Sequence, residues 1–163
     1  MKKIFATLML VLACNAMQAQ SADRIFNEFK NTKGAEYVPI TKSMLSMAKN
    51  QKKNLMDGKI QLNGDIASAI SSMQVLNMEE CPKEVRQSVC DRVNALKDHG
   101  YEVLVSTNEE DEEAIILSKT KGENIVEVLI YSNEKDDKDC VLVQFKGSIS
   151  QKELQKMLGN NNK

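Results

Sequence analysis

The sequence predicts an α+β domain, an antiparallel sheet with its helices packed mainly on one face. Three observations favour this class. Helical and strand-like segments alternate in the first half of the chain, and four strand-like segments follow one another from about residue 101 with only short polar turns between them. A further helical segment lies near the C-terminus. Because short polar turns between consecutive strands are typical of antiparallel hairpins, the four segments are predicted to form a C-terminal four-strand meander.

Three helices are predicted before the meander, each beginning near a residue that favours a helix start. Ser21 precedes the first helix, which ends before Gly34, and Thr41 precedes the second. Pro82 fits the first turn of the third helix, and Gly100 ends it. This third helix has the clearest apolar stripe, which consists of Val85, Val89, Val93 and Leu96.

The last helix is predicted to begin at Ser150, because Glu153 three residues later completes a capping box. Pro39 has no backbone N–H, so it places the first strand at a sheet edge or at a strand end. Residues 50–64 are polar and rich in turn formers, which predicts a surface loop, and residues 65–72 fit either a helical turn or an extended piece. Strands are predicted at 35–40, 73–78, 101–105, 114–119, 125–132 and 141–147.

The N-terminus has the pattern of a secretory signal peptide. Lys2 and Lys3 precede an uncharged apolar run over residues 4–13, and small and polar residues follow. The run is shorter than the roughly 20 apolar residues that a transmembrane helix needs. We therefore expect residues 1–19 to be a signal peptide, cleaved after Ala19, and residues 20–163 to form a single domain.

A second interpretation of the same segment is a lipobox. Val11, Leu12 and Ala13 precede Cys14, which would become the lipidated first residue of an outer-membrane lipoprotein. A lipid at Cys14 would anchor the domain to a membrane without a transmembrane span. Either interpretation makes the protein an exported one, located in the periplasm or associated with the outer membrane.

Composition excludes several classes of protein. The 163 residues carry 22 Lys and Arg against 23 Asp and Glu, a formal net charge of −1, so no nucleic-acid partner is expected. The single His leaves little room for imidazole chemistry. Neither a phosphate-binding glycine loop nor a recognised hydrolase motif occurs. We therefore predict no catalytic residue, no cofactor-binding residue and no metal ligand.

Three cysteines, Cys81, Cys90 and Cys140, would remain in an oxidising compartment after processing. An odd number permits one disulfide and one remaining thiol. Cys81 and Cys90 would lie about 13 Å apart along the predicted helix, which exceeds the roughly 7 Å limit between bridged Cα atoms. Cys81 and Cys140 both lie at the ends of elements, so we predict a disulfide between these two. The alternative is three free thiols.

Four other groups of residues each have a structural and a functional interpretation. His99 fits a helix C-terminus, where an imidazolium is favourable; the alternative is a catalytic base. The acidic runs at 109–113 and 136–139 are predicted to be solvated turns, or a cation site if they meet. A basic loop with four lysines is predicted either to aid solubility or to be a docking surface for an acidic partner. Four methionines are predicted either to fill the core or to line a pocket that adapts to its ligand. These residues are Lys49, Lys52, Lys53 and Lys59, and Met44, Met47, Met73 and Met78.

Six blocks of sequence, taken in order, carry a resemblance to a known family. They read FNEFK, AEYVPITKSML, VLNMEECP, GYEVLV, IVEVLIYS and VLVQFKGSIS. In this order they resemble the exported bacterial proteins grouped as the domain of unknown function DUF4252. The resemblance covers nearly the whole mature chain and implies an α+β envelope domain. It carries over no catalytic residue, and it fits both cleaved and lipidated precursors.

The sequence therefore favours a non-catalytic cell-envelope module that binds another envelope protein or acts as an accessory factor. Its binding surface would be an exposed sheet face or the basic loop. The first alternative is a carrier of a small apolar ligand, with Met44, Met47 and the sheet around the pocket. The second alternative is an enzyme of unrecognised type, which would have to gather His99 or several carboxylates from distant segments.

Overall fold

The computed structural model describes residues 21–48, 53–55, 60–62, 64–134 and 139–158. The predicted signal peptide, including Cys14, lies outside these residues. The strands are β1 (Glu36–Ile40), β2 (Lys53–Leu55), β3 (Ile60–Leu62), β4 (Ile70–Asn77), β5 (Glu102–Asn108), β6 (Glu112–Lys121), β7 (Asn124–Glu134) and β8 (Cys140–Ile149). The helices are α1 (Ala22–Phe29), α2 (Lys42–Ala48), α3 (Gly64–Ala69), α4 (Lys83–Ala95) and α5 (Gln151–Leu158), with a 3-10 turn at Leu96–His99.

A six-stranded sheet in the order β1-β4-β8-β7-β6-β5 organises the fold, and every neighbouring pair in it is antiparallel. The α+β class is therefore confirmed. Strands β5 to β8 follow one another as consecutive hairpins, which confirms the C-terminal meander. Strand β4 then pairs on the far side of β8 and carries β1 beyond it, so β1 and β5 are the two edges of the sheet.

Helices cover both faces of the sheet. One face, here named the α1/α4 face, presents residues such as Leu129 and Leu142, which pack with Phe26 of α1 and Val93 of α4. The opposite face, here named the α2/α5 face, presents a second buried cluster that includes Val128 and Phe145 of the sheet, Leu45 of α2 and Leu154 of α5. The longest helix, α4, packs on the α1/α4 face together with α1, but the prediction that helices pack mainly on one face missed the cover that α2 and α5 give to the other.

The central strands are apolar on both sides for this reason. Along β7, Val128 and Ile130 belong to the α2/α5 cluster, while Leu129 and Tyr131 belong to the α1/α4 cluster. All four are buried. Since side chains alternate between the two faces of a strand, an apolar run without alternation is what a strand covered on both faces requires.

The helix ends follow the predicted chemistry at Thr41, Ser150 and Gly100, whereas Ser21 makes no side-chain capping bond and Pro82 is the N-cap of α4, just before its first turn. The capping box of α5 is formed, with the Glu153 N–H donating to Ser150 Oγ at 3.2 Å and the Ser150 N–H donating to Glu153 Oε2 at 2.7 Å. The Ser150 hydroxyl also donates to Glu153 Oε2, at 2.7 Å, and these two Ser150 donors lower the pKa of Glu153. The 3-10 turn after α4 ends at Gly100, which has a left-handed φ of 81°.

The predicted surface loop over residues 50–64 is wrong in its described part, where β2 pairs with β3 in a separate antiparallel ribbon. An Asp57-Gly58 pair between two short apolar segments is a strong hairpin signal that the polar composition of this region obscured. The ambiguous segment 65–72 divides between α3 and the start of β4. None of the helices in the described ranges is long and apolar enough to span a membrane.

Candidate functional site

Strand β5 is the most exposed strand of the sheet. All seven of its residues are exposed, whereas its neighbour β6 contributes buried Ile115, Leu117 and Ser118. Three consecutive apolar side chains of β5, those of Val103, Leu104 and Val105, are exposed to 44%, 38% and 38%. Because β5 is an edge of the sheet, the backbone N–H and C=O groups on its outer side have no neighbouring strand in the part of the chain that the structure describes. We name residues 102–108 the β5 edge.

The apolar side chains of the β5 edge are divided between the two faces of the sheet. Val103 lies opposite Leu117, a residue of the α1/α4 face, and Val105 lies opposite Ile116, which packs against the α2/α5 cluster. The register shifts between Val103 and Val105, so Leu104 is the extra residue of a bulge. A strand added beside β5 would therefore find apolar contacts on both of its own faces.

The other edge of the sheet is protected. Strand β1 has five residues, and Pro39 among them has no backbone N–H to offer a neighbour. Its position at a sheet edge confirms the prediction made from Pro39. Tyr37 also holds β1 inward, because its hydroxyl donates to Gln74 Oε1 at 2.8 Å and its ring packs against Phe26 with ring centroids 6.4 Å apart.

Carboxylates gather at the end of the sheet where β5 finishes. Glu109, Glu110 and Asp111 are exposed in the β5–β6 turn, and Glu112 lies opposite Glu134 in the β6–β7 ladder. The β7–β8 connection, which contains the second acidic run, therefore leaves the sheet at the same end. Asp136 and Asp137 of that run lie outside the described residues, and no group of potential metal ligands occurs among those described. We name residues 109–112 with Glu134 and Asp139 the acidic end.

A row of polar side chains crosses the middle of the α1/α4 face. Gln74 Nε2 donates to Gln144 Oε1, and Gln144 Nε2 donates to Glu127 Oε1 at 2.6 Å. These three residues come from the neighbouring strands β4, β8 and β7, and we name them the polar row. Tyr101 Oη also donates to Glu127 Oε1 at 2.8 Å, so the buried carboxylate has two donors.

The polar row holds the first turn of α1 against the sheet. Asp23 accepts a hydrogen bond from Gln74 Nε2 at 3.1 Å and forms an ion pair with Lys146. The Ala22 N–H donates to Tyr101 Oη at 3.3 Å. Burial, followed by the charge of Glu127, raises the pKa of Tyr101. This hydroxyl therefore stays protonated and able to donate to Glu127.

A cleft of about 340 Å³ opens beside the polar row. Its wall includes charged Asp23, Lys42 and Lys146 together with Tyr37 and Gln144. Apolar Pro39, Ile40 and Met73 also line the cleft, so its wall is mixed, and of the four methionines expected around a carrier's pocket only Met73 lies in it. The methionines proposed for that role diverge, since Met44 and Met47 are exposed on α2 while Met73 and Met78 are buried on opposite faces of the sheet.

Cys81, Cys90 and Cys140 are buried free thiols in the structure. Cys81 and Cys140 lie close in the chain fold, because the Met78 N–H donates to the Cys140 carbonyl at 2.7 Å and the Cys81 N–H donates to the Met78 carbonyl at 3.0 Å. Cys90 has a different neighbour and donates to Glu113 Oε1 at 3.0 Å. The disulfide between Cys81 and Cys140 stays a prediction, and all three cysteines lie in the buried cluster of the α1/α4 face.

Burial changes the ionisation of all three thiols. It is the main cause that raises the pKa of Cys81, the pKa of Cys140 to about 11 and the pKa of Cys90 to about 12. The carboxylate of Glu113 adds to the effect at Cys90. Since the thiolate is the nucleophile, none of the three thiols in the folded domain has the properties of a reactive cysteine.

The remaining sequence-predicted residues lie apart from these features. His99 is exposed at the last position of the 3-10 turn, as its predicted place at a helix end requires. Lys49, Lys52 and Lys59 of the basic loop lie outside the described residues. Sequence reasoning missed the polar row, although Glu127 and Gln144 stand within otherwise apolar strands, which is the local signal that could have found it.

The order of helices and strands agrees with the family resemblance seen in the sequence blocks. The family model described as domain of unknown function (DUF4252) matches residues 29–157. The chain belongs to this family. The match spans every strand and reaches from the last residue of α1 into α5, so the sheet with both of its edges is part of the family domain. No curated protein and no solved structure matches the chain.

Proposed function

We propose that this DUF4252 protein is an exported, non-catalytic interaction module of the cell envelope, and that the β5 edge is its binding surface. One observation carries the proposal: β5 is a fully exposed edge strand with three neighbouring apolar side chains. Natural sheets usually protect such an edge with proline, charge, a covering loop or shortness. β1 has such protection, whereas within the described ranges β5 has its bulge and the charge of Glu102 at its start.

Export is the second part of the proposal, and it is supported by the basic start, the apolar run and the small polar residues at positions 2–20. Mass spectrometry of the mature N-terminus tests it. A free N-terminus near Gln20 identifies signal peptidase cleavage, and a lipidated Cys14 identifies an anchored lipoprotein. A full-length chain that still begins at Met1 and stays in the cytoplasm would overturn export.

The binding surface is tested by photo-crosslinking in living cells. A photo-reactive residue replaces Leu104 at the β5 edge, and the control replaces Val38 at the β1 edge, where the side chain is exposed to 37%. We expect the probe at Leu104 to capture an envelope protein that the probe at Val38 does not capture. The capture should disappear when Val105→Lys is added, because Lys on an edge strand blocks the approach of another strand.

The control for folding is Val38→Lys. Val38 and Val105 are almost equally exposed, at 37% and 38%, and each lies opposite a residue that packs against the α2/α5 cluster, Val75 and Ile116. The two substitutions should therefore cost similar stability. A capture that survives Val105→Lys, or that the Val38 probe makes equally well, would show that the β5 edge is not the binding surface.

A further inference from the structure

We infer that the β5 edge binds an extended polypeptide segment in antiparallel orientation, with apolar side chains on both faces and Lys or Arg toward its N-terminal end. The inference rests on the proposed function and names the chemistry of the partner. It follows from three properties of the edge: an outer side with no strand beside it among the described residues, the division of its apolar side chains, and the carboxylates at one of its ends.

The backbone supplies the first argument. An edge strand of seven residues is about 23 Å long at roughly 3.3 Å per residue. It can align with a partner segment of similar length through main-chain hydrogen bonds, which is how strand addition gives affinity. Every pair in the six-stranded sheet is antiparallel, and antiparallel pairing is slightly more stable per residue than parallel pairing. We therefore expect the added strand to be antiparallel to β5.

The side chains supply the second argument. Val103 and Val105 lie on opposite faces of the sheet, so an added strand meets an apolar neighbour on each face. Cross-strand pairs of β-branched or aromatic residues stabilise neighbouring strands. The preferred segment therefore carries Val, Ile or aromatic residues at successive positions near its centre. An amphipathic segment with one polar face would use only half of the available contacts.

Charge supplies the third argument and sets the direction. The exposed carboxylates of Glu110 and Asp111 lie just beyond Asn108, where β5 finishes. The N-terminal end of an antiparallel partner lies beside this point. Lys or Arg there would face the acidic end, while Asp or Glu would be repelled. The contribution is expected to fall with salt, because both carboxylates are exposed.

The same charges disfavour a second copy of this chain as the occupant. Two β5 strands paired antiparallel about Val105 would place Asn108 of each copy opposite Glu102 of the other. The Glu109 and Glu110 carboxylates of each copy would then approach the Glu102 carboxylate of the other copy. Like charges at neighbouring positions of paired strands are destabilising. A partner segment with a basic N-terminal end has no such conflict.

Short synthetic peptides test the inference directly, because the chain contains no Trp and a single Trp in the peptide reports binding without background fluorescence. Two peptides share a central Val-Trp-Val-Ile core and differ only in whether two Lys stand at the N-terminal or the C-terminal end. A third peptide carries two Glu at the N-terminal end. We expect the N-terminal Lys peptide to bind roughly fivefold more tightly than its reversed partner, and the Glu peptide to bind most weakly.

Two variants assign the effect. Glu110→Gln combined with Asp111→Asn should remove the preference between the two Lys peptides and leave the binding of the core in place. Val105→Lys should abolish binding of all three peptides, and Val38→Lys should not. Equal affinity for the two Lys peptides, or binding that Val105→Lys leaves unchanged, would overturn the inference.

A second measurement separates this inference from the proposed function. Sedimentation of the full mature chain shows whether it forms dimers, and a dimer that Val105→Lys removes would replace the peptide segment with a second copy as the occupant. If the peptides show no charge preference while Leu104 still captures an envelope protein in cells, the partner chemistry is wrong and the interaction module stands. If Leu104 captures nothing, the module itself is refuted.

Discussion

The two edges of the sheet are built on opposite principles. The β1 edge is short, contains Pro39, and is held inward by the hydroxyl and ring of Tyr37. The β5 edge is two residues longer, contains no proline, and presents Val103, Leu104 and Val105 to solvent. Both edges belong to one sheet, so they differ in the backbone donors and the apolar side chains that each strand presents to an added strand.

The comparison distinguishes a sheet edge that is protected against further strands, β1, from one that is not, β5. A protected edge prevents the addition of strands from other chains. β5 lacks the proline and the inward contacts of β1, so it is the edge at which we propose strand addition. Strands β1, β4 and β8 are here named the β1 half of the sheet, and β7, β6 and β5 the β5 half. The predictions that follow compare the interactions that stabilise the two halves.

The largest expected effect concerns Cys81 and Cys140, which lie in the β1 half, after β4 and at the start of β8. If an oxidised thiol–disulfide exchange partner takes two electrons and two protons from these thiols, the resulting disulfide closes a loop of about 60 residues. Such a disulfide is expected to add about 3–4 kcal/mol to the free energy of unfolding. Urea unfolding before and after reduction measures this value.

The control for the disulfide is Cys90→Ala, which should leave the effect of reduction intact. Peptide mapping without reductant should recover Cys81 linked to Cys140 and Cys90 unlinked. Equal alkylation of all three cysteines after unfolding the untreated exported protein would rule out the disulfide.

A pair of glycines gives the next largest contrast. Gly34 precedes β1 and Gly100 precedes β5, and both have a left-handed backbone, with φ of 88° and 81°. A Cβ at Gly34 would lie 2.4 Å from the Glu80 carbonyl oxygen, whereas a Cβ at Gly100 would have no neighbour within 4 Å. We expect Gly34→Ala to cost about 3 kcal/mol or more, and Gly100→Ala about 1 kcal/mol. Thermal unfolding of both variants measures the two losses of stability. Equal losses would show that the close approach of the Glu80 carbonyl to Gly34 has no energetic consequence.

Two tyrosine hydroxyls provide a smaller test. Tyr101→Phe removes two hydrogen bonds, one donated to the buried Glu127 carboxylate and one accepted from the Ala22 N–H. Tyr37→Phe removes one bond to Gln74. We expect losses of about 2 and about 1 kcal/mol respectively, because a bond to a charged group contributes more. Chemical denaturation measures both. An equal or smaller loss for Tyr101→Phe would show that the start of β5 is not anchored through Glu127.

The smallest expected effect on stability concerns Cys90 and occurs only at alkaline pH. The Cys90 thiol donates to Glu113, which lies opposite Asn108 of β5. Burial raises the pKa of Cys90 from 9.0 to about 12. As pH rises through this window the unfolded state loses its thiol proton first, so stability present below about pH 9 is progressively lost. Cys90→Ala should reduce this alkaline loss. An unchanged pH dependence of the urea midpoint would contradict the role of Cys90.

Local patterns in the sequence predict most of the elements correctly. The apolar stripe from Val85 to Leu96 predicts α4, and Ser150 with Glu153 predicts the start of α5, because capping and periodicity act within a few residues. Pro39 also predicts an edge, since the missing N–H is a property of one residue. The four-strand meander follows from its short turns for the same reason.

The sequence does not reveal which strands pair when they are distant along the chain. Nothing local to β4 indicates that it pairs with β8, and nothing local to β5 indicates that it lies at an edge. An edge is defined by which strand is absent beside it, and that depends on the order of all six strands. Cover on both faces is equally non-local, because Leu45 and Leu154 reach the α2/α5 face from distant parts of the chain.

The polar row fixes the register of strands that helices cover on both faces. When a strand is apolar on either side, a shift of one residue against its neighbour exchanges one apolar face for another and meets little resistance. Gln74, Gln144 and Glu127 break that symmetry, because the same shift would turn the Glu127 carboxylate into the layer that holds Val128 and Phe145. An unpaired carboxylate there is prohibitive. These three polar side chains therefore favour a single register of the central strands.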